Sequence, residues 1–310
     1  MKIMVGKVST ATTASRPSNP PTSPQGLVGR IRTTLEMIKF EHSVFALPFA
    51  LTGAVLAVRG WPSWQQLGWI IVAMVAARSA AMTFNRIADL KFDALNPRTR
   101  ARALPSGHLT LGFAAGFTIV SCGVLAVAAY ELNPLAFKLS PLILALLLGY
   151  SYTKRFTSWS HLVLGACLGL SPVAAGIALR GKIEPALWLL GAAVMFWVAG
   201  FDLIYACQDV DFDRRQGLRS IPARYGVRTA LWLSGAMHVV MLALLVVVAR
   251  TQNLGWLAFT GLVLMAALLT YEHGLVRASD LSRINAAFFN INGFVSVLFF
   301  VTWAGDLLIH

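Results

Sequence analysis

The stretch WIIVAMVAARSAAMTFNRIADLKFD, Trp69–Asp93, carries a single charge, Arg78, through a long apolar run and then sets Asn85, Asp89 and Asp93 four residues apart. An α-helix turns once in about 3.6 residues, so these three side chains lie along one stripe at the end of a hydrophobic helix. Similar apolar runs recur along the chain. Runs able to cross a hydrocarbon core of about 30 Å lie at residues 43–59, 67–88, 111–130, 134–153, 162–179, 186–207, 229–249, 254–274 and 286–308. The expected fold is an all-α integral membrane protein with nine transmembrane helices around a central cavity. Composition agrees: 57% of the 310 residues are hydrophobic and 13% are charged, against roughly 25% charged in an ordinary soluble domain.

The formal charge of +13 would suit a nucleic-acid binder, but its distribution does not. The N-terminal segment (Lys2, Lys7, Arg16, Arg30, Arg32, Lys39) and every second loop after it hold nineteen of the Lys and Arg residues. The opposite loops hold five: Arg59, Lys138, Arg180, Lys182 and Arg250. Basic residues gather on the cytoplasmic side of membrane proteins, so the N-terminus is read as cytoplasmic and the C-terminus as external. No nucleic-acid partner is expected; the bilayer is. Residues 1–28 are rich in Ser, Thr and Pro, contain no acid and lack the apolar core of a secretory signal. They read as a disordered cytoplasmic tail, with an organellar transit peptide as the alternative, ahead of one membrane domain at 29–310. The segment IRTTLEMIKFEH fits an amphipathic interfacial helix. Cys122, Cys167 and Cys207 fall inside apolar runs at no metal-ligand spacing and read as packing residues. Trp61, Trp64 and Trp69 suit an interfacial belt.

Six of the thirteen acids sit in two short segments. One holds Asp89 and Asp93. The other, FDLIYACQDVDFDRRQGLRSIP, holds Asp202, Asp209, Asp211 and Asp213; the first, second and fourth share a helix face with Tyr205, and Asp211 does not. Both segments close an even-numbered span, and both run into similar tails: Arg102-Ala-Leu-Pro in one, Arg219-Ser-Ile-Pro in the other. An internal four-helix repeat with a ninth helix added would explain this and would face the two acidic stripes across a cavity. Carboxylates brought together near hydrocarbon repel unless a cation lies between them. Oxygen ligands without His or Cys select a hard cation, and Mg²⁺ is usually shared between one or two carboxylates and substrate phosphates. Lys91, Arg98, Arg100, Arg102, Arg214, Arg215 and Arg219 lie beside the acids, which suits a metal-bridged diphosphate.

These motifs carry a resemblance. Asn85-Arg86-x-x-Asp89-x-x-x-Asp93 with RTRARALPSG, and Asp209-x-x-x-Asp213 with RRQGLRSIP, resemble the two signature segments of the UbiA superfamily of intramembrane prenyltransferases. YSYTKRFT, with Tyr150, Lys154 and Arg155, is similar to that family's third cytoplasmic segment, and the likeness runs from about residue 30 to the end. It implies two Mg²⁺ ions, a polyprenyl diphosphate donor and a small, usually aromatic, acceptor. By position, Asn85, Asp89 and Asp93 would bind one metal and Asp209 and Asp213 the other. Lys154, with Arg155 and Tyr150, would hold the diphosphate, and Arg102, Arg219 and Tyr205 are further substrate-binding candidates. Asp202 has no transferable role; its face suggests acceptor positioning or proton removal. Arg78, two turns below Asn85, reads either as a partner for an acceptor carboxylate or diphosphate oxygen, or as a salt bridge to Asp202 or another buried acid. Glu41 and His42 could face the same cavity.

The subgroup that IKFEHSVFALPFALTGAVLA and RALPSG most resemble acts on 4-hydroxybenzoate, in ubiquinone or menaquinone biosynthesis. A naphthoate, a homogentisate, a haem or chlorophyll precursor and a glycerol phosphate are the other acceptors. The competing class is a divalent-cation or small-molecule transporter, whose acids would lie at the bilayer midplane on broken helices. Here they cluster at the cytoplasmic ends, beside Arg and Lys. The expected location is a bacterial inner membrane with the active site facing the cytoplasm; an organellar inner membrane is the alternative.

Overall fold

The computed structural model describes residues 26–38, 47–284 and 287–309. Most of the expected tail, together with Glu41 and His42, lies outside them. Among the described residues there is no β-strand. The helices run α1 (Leu27–Met37), α2 (Leu47–Val58), α3 (Trp64–Ala88), α4 (Leu90–Leu95), α5 (Leu111–Leu132), α6 (Pro134–Gly149), α7 (Ser160–Arg180), α8 (Pro185–Ala206), α9 (Val210–Gln216), α10 (Ile221–Tyr225), α11 (Val227–Thr251), α12 (Trp256–Leu275) and α13 (Asn292–Ile309). Among the described residues, eight segments are long and apolar enough to cross a membrane: α3, α5, α6 with its continuation to Arg155, α7, α8 with its continuation to Gln216, α11, α12, and Phe288–Ile309. At the place of the first expected span stands α2, a 12-residue apolar helix preceded by residues outside the description. Helix α1 already begins at Leu27, inside the segment read as tail.

Apolar side chains cover these helices on most faces because one side meets lipid and the other meets protein. Ile119 and Val120 of α5 and Trp232 and Val239 of α11 point outward. Helix α8 is the hub, with Leu187, Leu190, Trp197 and Leu203 fully buried and with α7 and α11 as its main neighbours. Lipid tails are as apolar as Leu, so close packing rather than water exclusion holds such helices together. Gly165 and Gly169 of α7 supply that closeness. A Cβ on Gly165 would come within 2.3 Å of the Met195 carbonyl oxygen, and one on Gly169 within 2.3 Å of that of Gly191. An aromatic column ties α2, α8 and α13: Phe49 lies 4.8 Å from Trp197 and 4.7 Å from Phe299, and Trp303 lies 4.6 Å from Phe299. Pairs of this kind contribute about 0.5–1.5 kcal/mol each beyond their burial.

Two buried polar side chains, Asp306 and Asn292, tie helices of the bundle together. Asp306 of α13, 1% exposed, accepts from the amides of Gly255, Leu257 and Ala258 at 2.6, 3.1 and 3.2 Å. Those are the donors a helix start leaves unpaired. Asn292 donates to Glu272 Oε1 at 2.7 Å and to the Phe288 carbonyl at 3.2 Å, and accepts from Trp197 Nε1 at 2.9 Å. It thereby anchors the π-helical turn Ala287–Ile291, which carries Phe288 and Phe289 toward the cavity.

Candidate active site

The acidic stripe on α3 does not continue as one helix. Asp89 ends α3 and starts α4 with φ −93° and ψ 7°, the bridge region where a helix is interrupted. Helix α4 stops at Asn96, whose extended backbone (ψ 119°) is the conformation a following proline, here Pro97, imposes. Tight turns then fold the chain back: Thr99 Oγ1 donates to the Asp93 carbonyl at 3.0 Å, and the Arg102 amide to the Thr99 carbonyl at 2.9 Å. As a result Arg102 Nη1 reaches both carboxylate oxygens of Asp93, at 2.8 and 2.9 Å. The second motif is built similarly. A short 3₁₀ step, Cys207–Asp209, joins α8 to α9; Gly217, at φ +67°, lets the chain turn, and Ser220 caps α10 while donating to Asp213 Oδ2 at 2.8 Å.

Both motifs line one cavity of about 310 Å³, together with the 3₁₀ turn Tyr150–Arg155 that follows α6. The expected residues Arg78, Asn85, Asp89, Asp93, Arg102, Tyr150, Lys154, Arg155, Asp202, Tyr205, Asp209 and Asp213 all border it. Arg219 does not. Its amide donates to the Lys154 carbonyl at 2.7 Å and its guanidinium to the Phe156 carbonyl at 2.7 Å, so it fastens the second motif to the turn that carries Lys154. Asp211 is exposed, as its position on the other side of the helix required.

Six cations and five carboxylates line the cavity, so it can hold an anion and a cation together. Arg98 bridges the two motifs. Its Nε and Nη2 donate to Asp209 Oδ1 and Oδ2 at 3.0 and 2.5 Å, its Nη1 donates to the Tyr205 hydroxyl at 3.1 Å, and Asn96 donates to the same Asp209 Oδ1 at 3.1 Å. Burial disfavours the Arg98 charge, but hydrogen bonding and attraction to Asp209 outweigh that and hold the guanidinium above its ordinary pKa. Lys154 Nζ is 3.9 Å from Asp213, and Arg155 is 3.8 Å from Asp89 while donating to the Ala88 carbonyl at 2.6 Å. Burial, then the neighbouring Asp93 charge, push the Asp89 carboxyl above its ordinary range despite Lys154, Arg86 and Arg155. The salt bridge between Arg78 and Asp202 weighed from sequence is not what pairs Asp202; His161 does, Nδ1 to Oδ2 at 2.6 Å.

Among the described residues no three acids, His or Cys converge as a protein-only metal cage. The donor set still fits a hard cation shared with a ligand: two carboxylate pairs and an amide, without His or Cys, border one space. Arg86 Nε and the Ser151 and Ser160 hydroxyls are buried at this cavity without a hydrogen-bond partner, and an oxygen-rich anion would satisfy them. Deeper in, Leu164, Leu168, Val198, Phe201, Phe288 and Phe289 make the wall apolar. A second, almost wholly apolar chamber of about 170 Å³ adjoins it between α3, α6 and α7 and shares Arg78, Met82, Tyr150, Leu164 and Leu168 with it. Sequence reasoning missed His161, Asn96, Phe288 and Phe289. Only a His at the mouth of a hydrophobic span and the Phe pair in AAFFNINGF were available as signals.

A membrane-embedded helical bundle with an ion-lined pocket backed by apolar space has the build of an intramembrane enzyme. Residues 46–296 match the UbiA prenyltransferase family, and the chain belongs to it: it is a membrane-embedded transferase of prenyl groups. It is similar to the 4-hydroxybenzoate octaprenyltransferases of Alkalilimnicola ehrlichii (30% identical over 249 residues, 80% of this chain and 85% of that protein) and Methylobacillus flagellatus (32% over 256 residues, 83% and 86%). Among solved structures it is similar to the apo form of a UbiA homolog from Aeropyrum pernix K1, 36% identical with TM-score 0.79, covering 86% of this chain and 98% of that one. A UbiA homolog from Archaeoglobus fulgidus bound to GPP and Mg²⁺ shares the fold at 18% identity and TM-score 0.69, covering 90% and 100%.

Proposed function

We propose that this enzyme transfers a polyprenyl chain from polyprenyl diphosphate to a small aromatic acid, 4-hydroxybenzoate first among them, with Mg²⁺ as cofactor and in the service of ubiquinone or menaquinone synthesis. The observation that carries this reading is the single cavity in which two Asp pairs and six cations meet an apolar chamber. Its acceptor rests on the 4-hydroxybenzoate octaprenyltransferase relatives. Asn85, Asp89 and Asp93 would hold one Mg²⁺, and Asp209 and Asp213 the other. When bound, the ions neutralise charge on the leaving diphosphate.

Lys154, Arg155, Arg98 and Arg102 border the same end and orient the diphosphate through charge-assisted hydrogen bonds. The chamber bordered by Met74, Leu125, Ile143 and Leu147 receives the isoprenoid tail. Phe201, Phe288 and Phe289 exclude water from the developing allylic cation and present ring faces that attract it. Arg78, two helical turns below Asn85, pairs with the acceptor carboxylate. Residues 29–310 form the catalytic domain of this reading, and the Lys and Arg bias of alternate loops supports an active site that faces the cytoplasm, in a bacterial inner membrane.

The test is prenyl transfer in membranes supplied with Mg²⁺, a long-chain polyprenyl diphosphate and radiolabelled 4-hydroxybenzoate. Label is expected in lipid with the wild type and is expected to be lost with Asp89→Ala and Asp209→Ala. Transfer that persists in both variants, or that occurs only with a non-aromatic acceptor, would refute the reading.

A further inference from the structure

His161 stands in the first turn of α7 and is fully buried, yet its ring meets Asp202 of α8, Nδ1 to Oδ2 at 2.6 Å. Asp202 borders the cavity with 21% of its side chain exposed, whereas His161 does not border it. The carboxylate thus lies between the imidazole and the substrate space. Nε2 of His161 is buried with no partner, so hydrogen-bond bookkeeping places the ring proton on Nδ1, donated to Asp202. That bond fixes the carboxylate's rotamer and occupies Oδ2, leaving Oδ1 available. Among the described residues His161 is the one ion-pair partner of Asp202. The other four cavity acids pair with Arg or Lys instead: Asp89 with Arg155, Asp93 with Arg102, Asp209 with Arg98 and Asp213 with Lys154. Asp202 also lies seven residues, about 10 Å of helix, deeper than Asp209. It borders the cavity together with Arg78, Phe201, Tyr205 and Phe288, and it attracts the Lys154 ammonium without forming an ion pair with it.

We propose that Asp202, oriented by His161, is the base that takes the aromatic proton in the final step of transfer; this rests on the aromatic prenyltransferase reading above. The donor C–O bond breaks and its electron pair leaves with diphosphate. A ring carbon ortho to the hydroxyl supplies the pair that forms the new C–C bond. The C–H bond at that carbon then breaks, its electrons restore the aromatic ring, and the proton passes to Oδ1 of Asp202, from which water removes it when the site opens. Asp202 is the catalytic residue and His161 the positioning residue. The buried imidazole keeps the carboxylate aimed at the ring while the rim acids remain committed to the diphosphate end.

The test uses the full chain in lipid nanodiscs with Mg²⁺, a polyprenyl diphosphate, and 4-hydroxybenzoate carrying hydrogen or deuterium at the ring positions ortho to the hydroxyl. Transfer and diphosphate release are followed together, and melting midpoints confirm that each variant is folded. Asp202→Asn is expected to slow transfer by about 10²–10⁴-fold, the usual contribution of a general base. It should also acquire a primary isotope effect that the wild type lacks, because C–H cleavage becomes the slow step. His161→Phe, which leaves Oδ2 unheld, is expected to show the same isotope effect with a smaller loss, and His161→Gln, whose amide can still donate, to recover most of the rate. A folded Asp202→Asn that transfers at the wild-type rate, or that slows transfer and diphosphate release together without an isotope effect, overturns the proposal and leaves the enzyme's function intact. A wild type that prenylates no aromatic acid overturns the parent reading, and this inference with it.

Discussion

Arg98 is the residue on which the meeting of the two motifs depends, and replacing it with Met tests that directly. The substitution keeps the length and apolar stem of the side chain but removes both bonds to Asp209 and the one to the Tyr205 hydroxyl. Asp209, 9% exposed, would keep only the Asn96 amide. Stripping one partner from a fully buried ion pair costs about 3–5 kcal/mol. Since 33% of the Arg98 side chain remains in solvent, screening lowers the expected loss to about 1–3 kcal/mol. Asp209→Asn removes the same bridge from the other side. In the double variant the second substitution has little left to remove, so the cycle should show a coupling of about 1–2 kcal/mol. The measurement is SDS-induced unfolding in mixed micelles, without divalent metal, at all four corners of the cycle. Losses that add to within about 0.5 kcal/mol would mean that the pair does not join the motifs and would refute the reasoning.

Other outcomes follow from the same geometry. The Asp89 carboxyl is raised, so the folded chain holds its proton more tightly than the unfolded chain, and stability falls as pH rises from the ordinary 3.8 through the raised folded value. Metal-free Asp89→Asn should therefore unfold at a higher temperature than the wild type at pH 7, with the gap closing as the pH drops through that window, while transfer activity is lost; an unchanged or lower midpoint would count against it. Asp306→Ala leaves three amides at the start of α12 without their acceptor and should cost about 2–4 kcal/mol, read by the same unfolding assay. Gly169→Leu forces α7 away from the Gly191 carbonyl and should lower the melting midpoint, whereas Gly116→Leu on α5, where a Cβ meets nothing within 4 Å, should not.

The apolar runs, the cytoplasmic bias of Lys and Arg and the two Asp pairs are local or compositional signals, and they carried the membrane fold and most of the polar residues that border the cavity. A hydrophobic segment must satisfy its own backbone in lipid, so its helical state follows from its composition. Spacing likewise put Asp202, Asp209 and Asp213 on one face and excluded Asp211. The partners of those acids were not legible, because they come from elsewhere in the chain. Arg98 reaches Asp209 across 111 residues and His161 reaches Asp202 across 41. Arg219 looked like a substrate ligand in its motif, yet it fastens one loop to another. Phe288 enters the cavity because Asn292 holds a π-turn that no periodicity announces. Sequence determines what each segment must do with hydrocarbon and which atoms it can offer to a metal or phosphate. Which offered atoms meet, and which are already taken, depends on helix packing and on loops that turn back, both set by contacts distant in sequence.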